Sequence, residues 1–299
     1  MKIQHLIISF LFLITSCTSR EQKVDKSKLL GNDYRLFQDT PAWELAKAIE
    51  DENTTLIKKI VNEKQVDINL QEPRFGQTFL MIAVTNQQYN SCKTLLEFGA
   101  DPNKYDNYDG SNAMIEAVQI SNITGDNTNF LKLLLQFKGN PNFVEVGPRR
   151  EGNSTRNSVL ISAVQINEVQ SSLPMVKMLV EAGADINYKN EFGQTALNQA
   201  IILDVFDVAF YLLQKGADYN NVIVDRSGIS KDGKKMYLIE ILREFTPELN
   251  SKKHKEKLAI IEFLKQKGID YKKVAIPDFI LEKIKRDYPN NWNDYIEQY

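Results

Sequence analysis

The chain has 299 residues, 42% of them hydrophobic, with two cysteines, two histidines and a formal net charge of −2. A sizeable core can form, but two cysteines can build neither a disulfide framework nor a zinc site. The charge balance argues against a nucleic-acid binder, which needs clustered Lys and Arg to neutralise phosphate. Residues 32–228 carry 17 basic and 25 acidic side chains, a net −8, whereas residues 229–299 carry 15 and 12, a net +3.

The chain opens on Met1-Lys2, then an apolar run from Leu6 to Ile14 interrupted only by Ser9. A basic start, a short apolar run and small residues describe a secretory signal. The run falls short of the roughly 20 residues that span a bilayer. Ile14-Thr15-Ser16-Cys17 resembles the lipobox of bacterial lipoproteins. That resemblance implies a signal peptide over 1–16 and lipidation of Cys17, with a chance cysteine in an ordinary signal as the alternative. Residues 17–35 are polar and Lys-rich, as a flexible tether would be. Thr18, where an Asp would favour inner-membrane retention, points to the outer membrane and to a periplasm-facing protein.

The body repeats itself, and fixed-period similarity is the mark of a repeat array. Leu95-Leu96-Glu97-Phe98-Gly99-Ala100-Asp101-Pro102-Asn103 returns in related form at 134–142, 179–187 and 212–220, and more weakly at 263–271. A copy without the glycine occupies 60–69. The Leu pair suits the buried face of a helix, Gly the left-handed position that closes it, and Asp and Asn a turn that bonds its own backbone. A second motif precedes these endings: Gly76-Gln77-Thr78-Phe79-Leu80-Met81-Ile82-Ala83, Gly110-Ser111-Asn112-Ala113-Met114-Ile115-Glu116-Ala117 and Gly193-Gln194-Thr195-Ala196-Leu197-Asn198-Gln199-Ala200. Here Thr or Asn caps a short helix, and Ala lets it approach its partner. Together these residues resemble the ankyrin repeat, with its Gly-x-Thr-Pro-Leu-His-x-Ala and Gly-Ala-Asp-x-Asn signatures. The resemblance runs over about residues 43–271, with the Thr-Pro-Leu-His segment degraded throughout.

It implies an all-α ankyrin-repeat solenoid of about six helix-turn-helix repeats with finger hairpins, preceded by a lipoprotein signal peptide and tether. The divisions are 1–16 signal peptide, 17–35 lipidated Cys and tether, 36–274 repeat domain, and 275–299 capping helix and tail. The cap is one helix, about Pro277 to Lys285. Insertions at 119–128, 142–157, 219–235 and 244–256 break the period, and insertions in repeat proteins fall in loops that carry recognition.

Candidate binding residues follow from the same register. Phe75, Tyr108 and Phe192 stand just before finger turns, with Tyr105, Tyr188 and Phe143 nearby. Ile82, Glu116 and Gln199, with Lys47 and Ser162, take the variable first-helix position, where they are expected to floor a concave face. Exposed aromatic residues dominate interface energies; the alternative is that they pack finger against finger.

Catalytic chemistry is not indicated. His254 is alone in a mature chain and reads as part of a solvated Lys-rich loop; Cys92 reads as a small packed hydrophobe. No cofactor or metal pattern occurs. The expectation is a monomeric binding protein, not an enzyme. It would reach the membrane only through its lipid and engage another envelope protein. The chain resembles ankyrin immunity lipoproteins, which neutralise secreted toxins such as type VI lipase effectors. The alternatives are a support or maturation factor for a periplasmic enzyme such as catalase, or a lipid or peptidoglycan contact through the Lys-rich end.

Overall fold

A computed structural model describes residues 21–124, 128–147, 156–164, 171–228 and 233–299. Residues 1–16 and Cys17 lie outside the described residues, as do parts of the insertions at 119–128, 142–157 and 219–235. The chain divides into two compact units: residues 1–117 with 136–139 and 146–148, and the remainder.

The first unit is built from helix pairs. α1 (Trp43–Glu50) and α2 (Thr54–Lys64) form one, α3 (Phe79–Thr85) and α4 (Tyr89–Glu97) the next, and α5 (Ala113–Thr124) begins in this unit. α2 packs on α4 and α1 on α3. The caps are those the sequence predicts: Thr78 Oγ1 accepts from Met81 N at 3.2 Å, and Asn112 Oδ1 from Ile115 N at 3.1 Å. The segment read as a tether is instead folded from Glu21 onward. Glu21 pairs with Lys47 at 2.7 Å, Asn32 Nδ2 donates to Asn86 Oδ1 at 2.9 Å, and the Arg74 guanidinium donates to the Leu29 carbonyl at 2.8 Å. Tyr34, Leu36 and Phe37 are buried, with Phe37 stacked on Phe79 at 4.1 Å. Two aromatic rings and a Leu within four consecutive positions bury too much surface to stay in solvent.

The second unit holds α6 (Thr128–Gln136), α7 (Val159–Ala163), α8 (Leu173–Glu181), α9 (Ala196–Ile202) and α10 (Phe206–Gln214). It continues with α11 (Leu238–Leu242), α12 (Lys252–Gln266), α13 (Asp278–Asp287) and α14 (Trp292–Gln298). An all-α reading needs correction here, because the insertion at 219–235 forms a two-stranded antiparallel hairpin. Its strands are β1 (Val222–Asp225) and β2 (Lys235–Tyr237), with a bulge between Val222 and Val224. The expected single capping helix is followed by α14. Ile280, Ile284, Tyr295 and Tyr299 bury themselves together between these two helices and their surroundings.

The repeat endings form a ladder. Each Asp or its equivalent accepts from the N–H two residues on, as Asp101 does from Asn103 N and Asp218 from Asn220 N, both at 2.9 Å. The Asn then reaches the next repeat. Asn69 accepts from Asp101 N at 2.7 Å and donates to the Gly99 carbonyl at 3.2 Å. In the second unit Asn187 accepts from Asp218 N at 2.9 Å and donates to the Gly216 carbonyl at 3.3 Å. The motif's Asn thus satisfies one donor and one acceptor that the neighbouring helix end leaves open. At 134–142 the left-handed position falls to Lys138 (φ 65) and not to Gly139.

Candidate functional site

The fingers are held from within by one side chain each. Glu72 accepts from the N–H groups of Arg74, Phe75 and Gln77 at 2.7, 2.7 and 3.1 Å. Asp106 accepts from those of Tyr108, Asp109 and Gly110 at 2.8, 2.9 and 3.0 Å. In the second unit Asn190 accepts from Phe192 and Gln194 at 3.0 and 2.9 Å. A carboxylate or amide three or four residues before the finger glycine marks each of these turns in the sequence. Burial and the neighbouring Asp109 push the Asp106 carboxyl up to about 7.

These turns fix the aromatic tips. In the first unit the two fingers are bonded to one another. Asn107 N donates to the Phe75 carbonyl at 3.0 Å, and the Gln71 amide bridges the carbonyls of Gly76 and Tyr105 at 2.6 and 2.8 Å. Phe75 and Tyr108 meet edge to face at 5.3 Å, and the Arg74 guanidinium lies 4.5 Å over Phe75. Phe75 is therefore half-buried as a support, while Tyr105 and Tyr108 remain 49% and 46% exposed. Phe75 and Tyr108 thus pack finger against finger, while Tyr105 and Tyr108 each keep an exposed part of the ring.

In the second unit Phe192 is 65% exposed, whereas Tyr188 is half-buried and donates its hydroxyl to the Arg156 carbonyl at 3.0 Å. Phe143 is buried, so it is a packing residue and not a contact.

The expected floor needs the larger correction. Ile82 is 0% exposed and Ser162 is buried. α3 has seven residues and its first six are all buried, so it offers no outward side chain at that position. Glu116 is half-buried and accepts from Thr85 Oγ1 at 3.1 Å and Ser111 Oγ at 3.0 Å. Burial raises its carboxyl pKa above the ordinary value despite those bonds. Gln199 is half-buried on α9, and Lys47 is half-buried with its amine on Glu21 and Glu44 at 2.7 and 2.8 Å.

His254 is not in a solvated loop. It lies buried in α12, accepting from Asn250 N at 3.1 Å through Nδ1, with Nε2 3.1 Å from the Gln298 carbonyl. Cys92 is a fully buried thiol whose pKa burial pushes well up, as befits an inert packed side chain. Among the described residues no three His, Cys, Asp or Glu side chains gather where they could hold a metal, and no helix is long and apolar enough to cross a membrane.

Residues 45–143 and 120–223 match the family described as Ankyrin repeats (3 copies). Two ankyrin repeat proteins of Acanthamoeba polyphaga mimivirus are similar in sequence. One is 30% identical over 165 residues, covering 54% of this chain and 20% of its own length. The other is 37% identical over 70 residues, covering 22% and 43%. The chain thus spans less than half the length of either relative. The crystal structure of the ankyrin repeat protein EF0377 resembles this one with a TM-score of 0.50 at 23% identity, covering 75% of this chain and 96% of that chain, a likeness of fold.

Proposed function

The chain belongs to the ankyrin-repeat family, whose repeats generally mediate protein–protein interaction, and from that premise we propose that it grips a protein partner with the paired fingers of its first unit. The observation that carries this reading is the exposure of Tyr105 and Tyr108 on turns locked by Asp106 and backed by Phe75. Rings held in place before binding lose little rotamer entropy when a partner covers them, which is why pre-organised aromatic residues become interface anchors. The net −8 of residues 32–228 supports a basic partner surface that is steered in electrostatically.

Ile14-Thr15-Ser16-Cys17 supports a lipid-anchored site of action facing the periplasm. In that setting the chain acts as an immunity protein that neutralises a secreted toxin. The test is co-expression with a periplasm-directed toxin encoded beside it. Wild type restores growth, and Tyr105→Ala/Tyr108→Ala at equal abundance does not. Growth restored equally by both would refute the finger reading; growth restored by neither would refute the immunity role.

A further inference from the structure

A groove in the second unit runs beside β1, and its lining includes the five consecutive residues 221–225. One edge of β1 is paired with β2. The rest of the groove's lining comes mainly from the preceding finger, Lys189, Phe192, Gly193 and Gln194, and from Ile202 of α9. At the start of β1, Asn198 Nδ2 donates to the Val222 carbonyl at 2.7 Å. Beyond that, among the described residues, the backbone of 223–225 bonds to no other backbone segment than β2. The far wall carries Phe192 and the 39% exposed Ile202. Lys189 stands on the rim without an ion pair among the described residues, and Lys235 shares the rim with Asp225.

We propose that this groove binds a short extended peptide as a third strand on β1. A bulky apolar side chain of the peptide lies against Phe192 and Ile202, and an acidic residue answers Lys189. An open strand edge offers evenly spaced donors and acceptors that only another extended backbone matches, while alternate side chains supply selectivity. The bulge and the brevity of β1 blunt the edge against a whole sheet. They leave room for a segment of about four residues, roughly 13 Å of strand. Asn190 fixes the Phe192 turn beforehand. The rim holds two lysines against one aspartate, which selects an acidic over a basic segment. This site is built from residues other than the paired fingers of the first unit and does not depend on their role.

The probe is an acetylated, amidated peptide, Thr-Val-Thr-Leu-Glu-Val-Thr, titrated into the isotope-labelled full chain and followed by amide chemical shifts. The expected result is saturable shifts at Val222, Ile223 and Val224. Phe192→Ala should weaken binding about tenfold, Ile202→Ser should also weaken it, and Glu replaced by Lys in the peptide should cost about threefold or more. Methylating alternate peptide nitrogens, which removes strand-forming donors, should abolish the β1 shifts in one of the two methylation registers. Tyr105→Ala/Tyr108→Ala should leave the titration unchanged. The inference is overturned by an absence of shifts in 222–224, by equal binding of both methylated registers and the parent peptide, or by shifts indifferent to both Phe192→Ala and Ile202→Ser.

Discussion

Two glycines with similar backbone angles should differ sharply in what an added methyl does. Gly110 has φ +73 and Gly216 φ +95, so alanine at either meets the left-handed penalty of roughly 1–2 kcal/mol. Around Gly216 the new Cβ finds nothing within 4 Å, and the cost should stop there. A Cβ on Gly110 would stand 1.7 Å from Gly147 N and 2.5 Å from Gly147 Cα. Those are backbone atoms, which cannot rotate away, so the two loops must part by more than an ångström. Parting them loses the Val146 N–H bond to the Gly110 carbonyl at 3.2 Å, about 1 kcal/mol net, together with the packing around it. Gly110→Ala should therefore cost about 3–4 kcal/mol, against roughly 1–2 for Gly216→Ala. Urea unfolding followed by circular dichroism measures both, and hydrogen exchange should show the Val146 amide deprotected only in Gly110→Ala. Equal midpoints for the two variants, or a protected Val146 amide in Gly110→Ala, would refute the close finger approach.

Asn187→Ala removes both ladder bonds to Asp218 N and the Gly216 carbonyl and should destabilise by about 1–2 kcal/mol, since the exposed groups regain water; an unchanged urea midpoint would count against the ladder. Asp106 has its carboxyl raised from 3.8 to about 7, so its stabilising contribution is complete below about 3.8 and lost as pH rises through about 7. Asp106→Asn keeps a side-chain acceptor, as Asn190 does, and should flatten stability between those limits while gaining about 1 kcal/mol at pH 8; a wild-type-like pH slope would contradict it. Cys17→Ser should release the protein from the membrane fraction or leave an unprocessed precursor, and unchanged fractionation and size would end the lipoprotein reading.

The helix ends were legible because each rests on local chemistry. Gly99, Gly183, Gly216 and Gly268 all take positive φ, and the Asp and Asn that follow make turns with their own backbone. Faces were harder to read. In α3 six consecutive residues are buried, so no helical stripe distinguishes Ile82 as an outward position. His254 hid among lysines, yet His254, Lys257, Ile260 and Leu264 form a buried stripe at helical spacing. Burial lowers the Lys257 amine to about 6 and its Nζ lies 3.7 Å over the Tyr299 ring, a partner no local reading connects to it. The Val222-Ile223-Val224 run is a readable strand signal inside the enlarged finger. Of the proposed site, the finger aromatics were visible in the sequence. The division between a supporting Phe75 and presented Tyr105 and Tyr108 was not, because it depends on contacts across 34 residues of chain.

Calorimetric titration of the protein partner against wild type and Tyr105→Ala/Tyr108→Ala measures directly what the paired fingers contribute to binding. The expected loss is at least about 2 kcal/mol, roughly thirtyfold in Kd, with circular-dichroism melts that superimpose. Unaltered affinity in the double variant, with the fold intact, would contradict it.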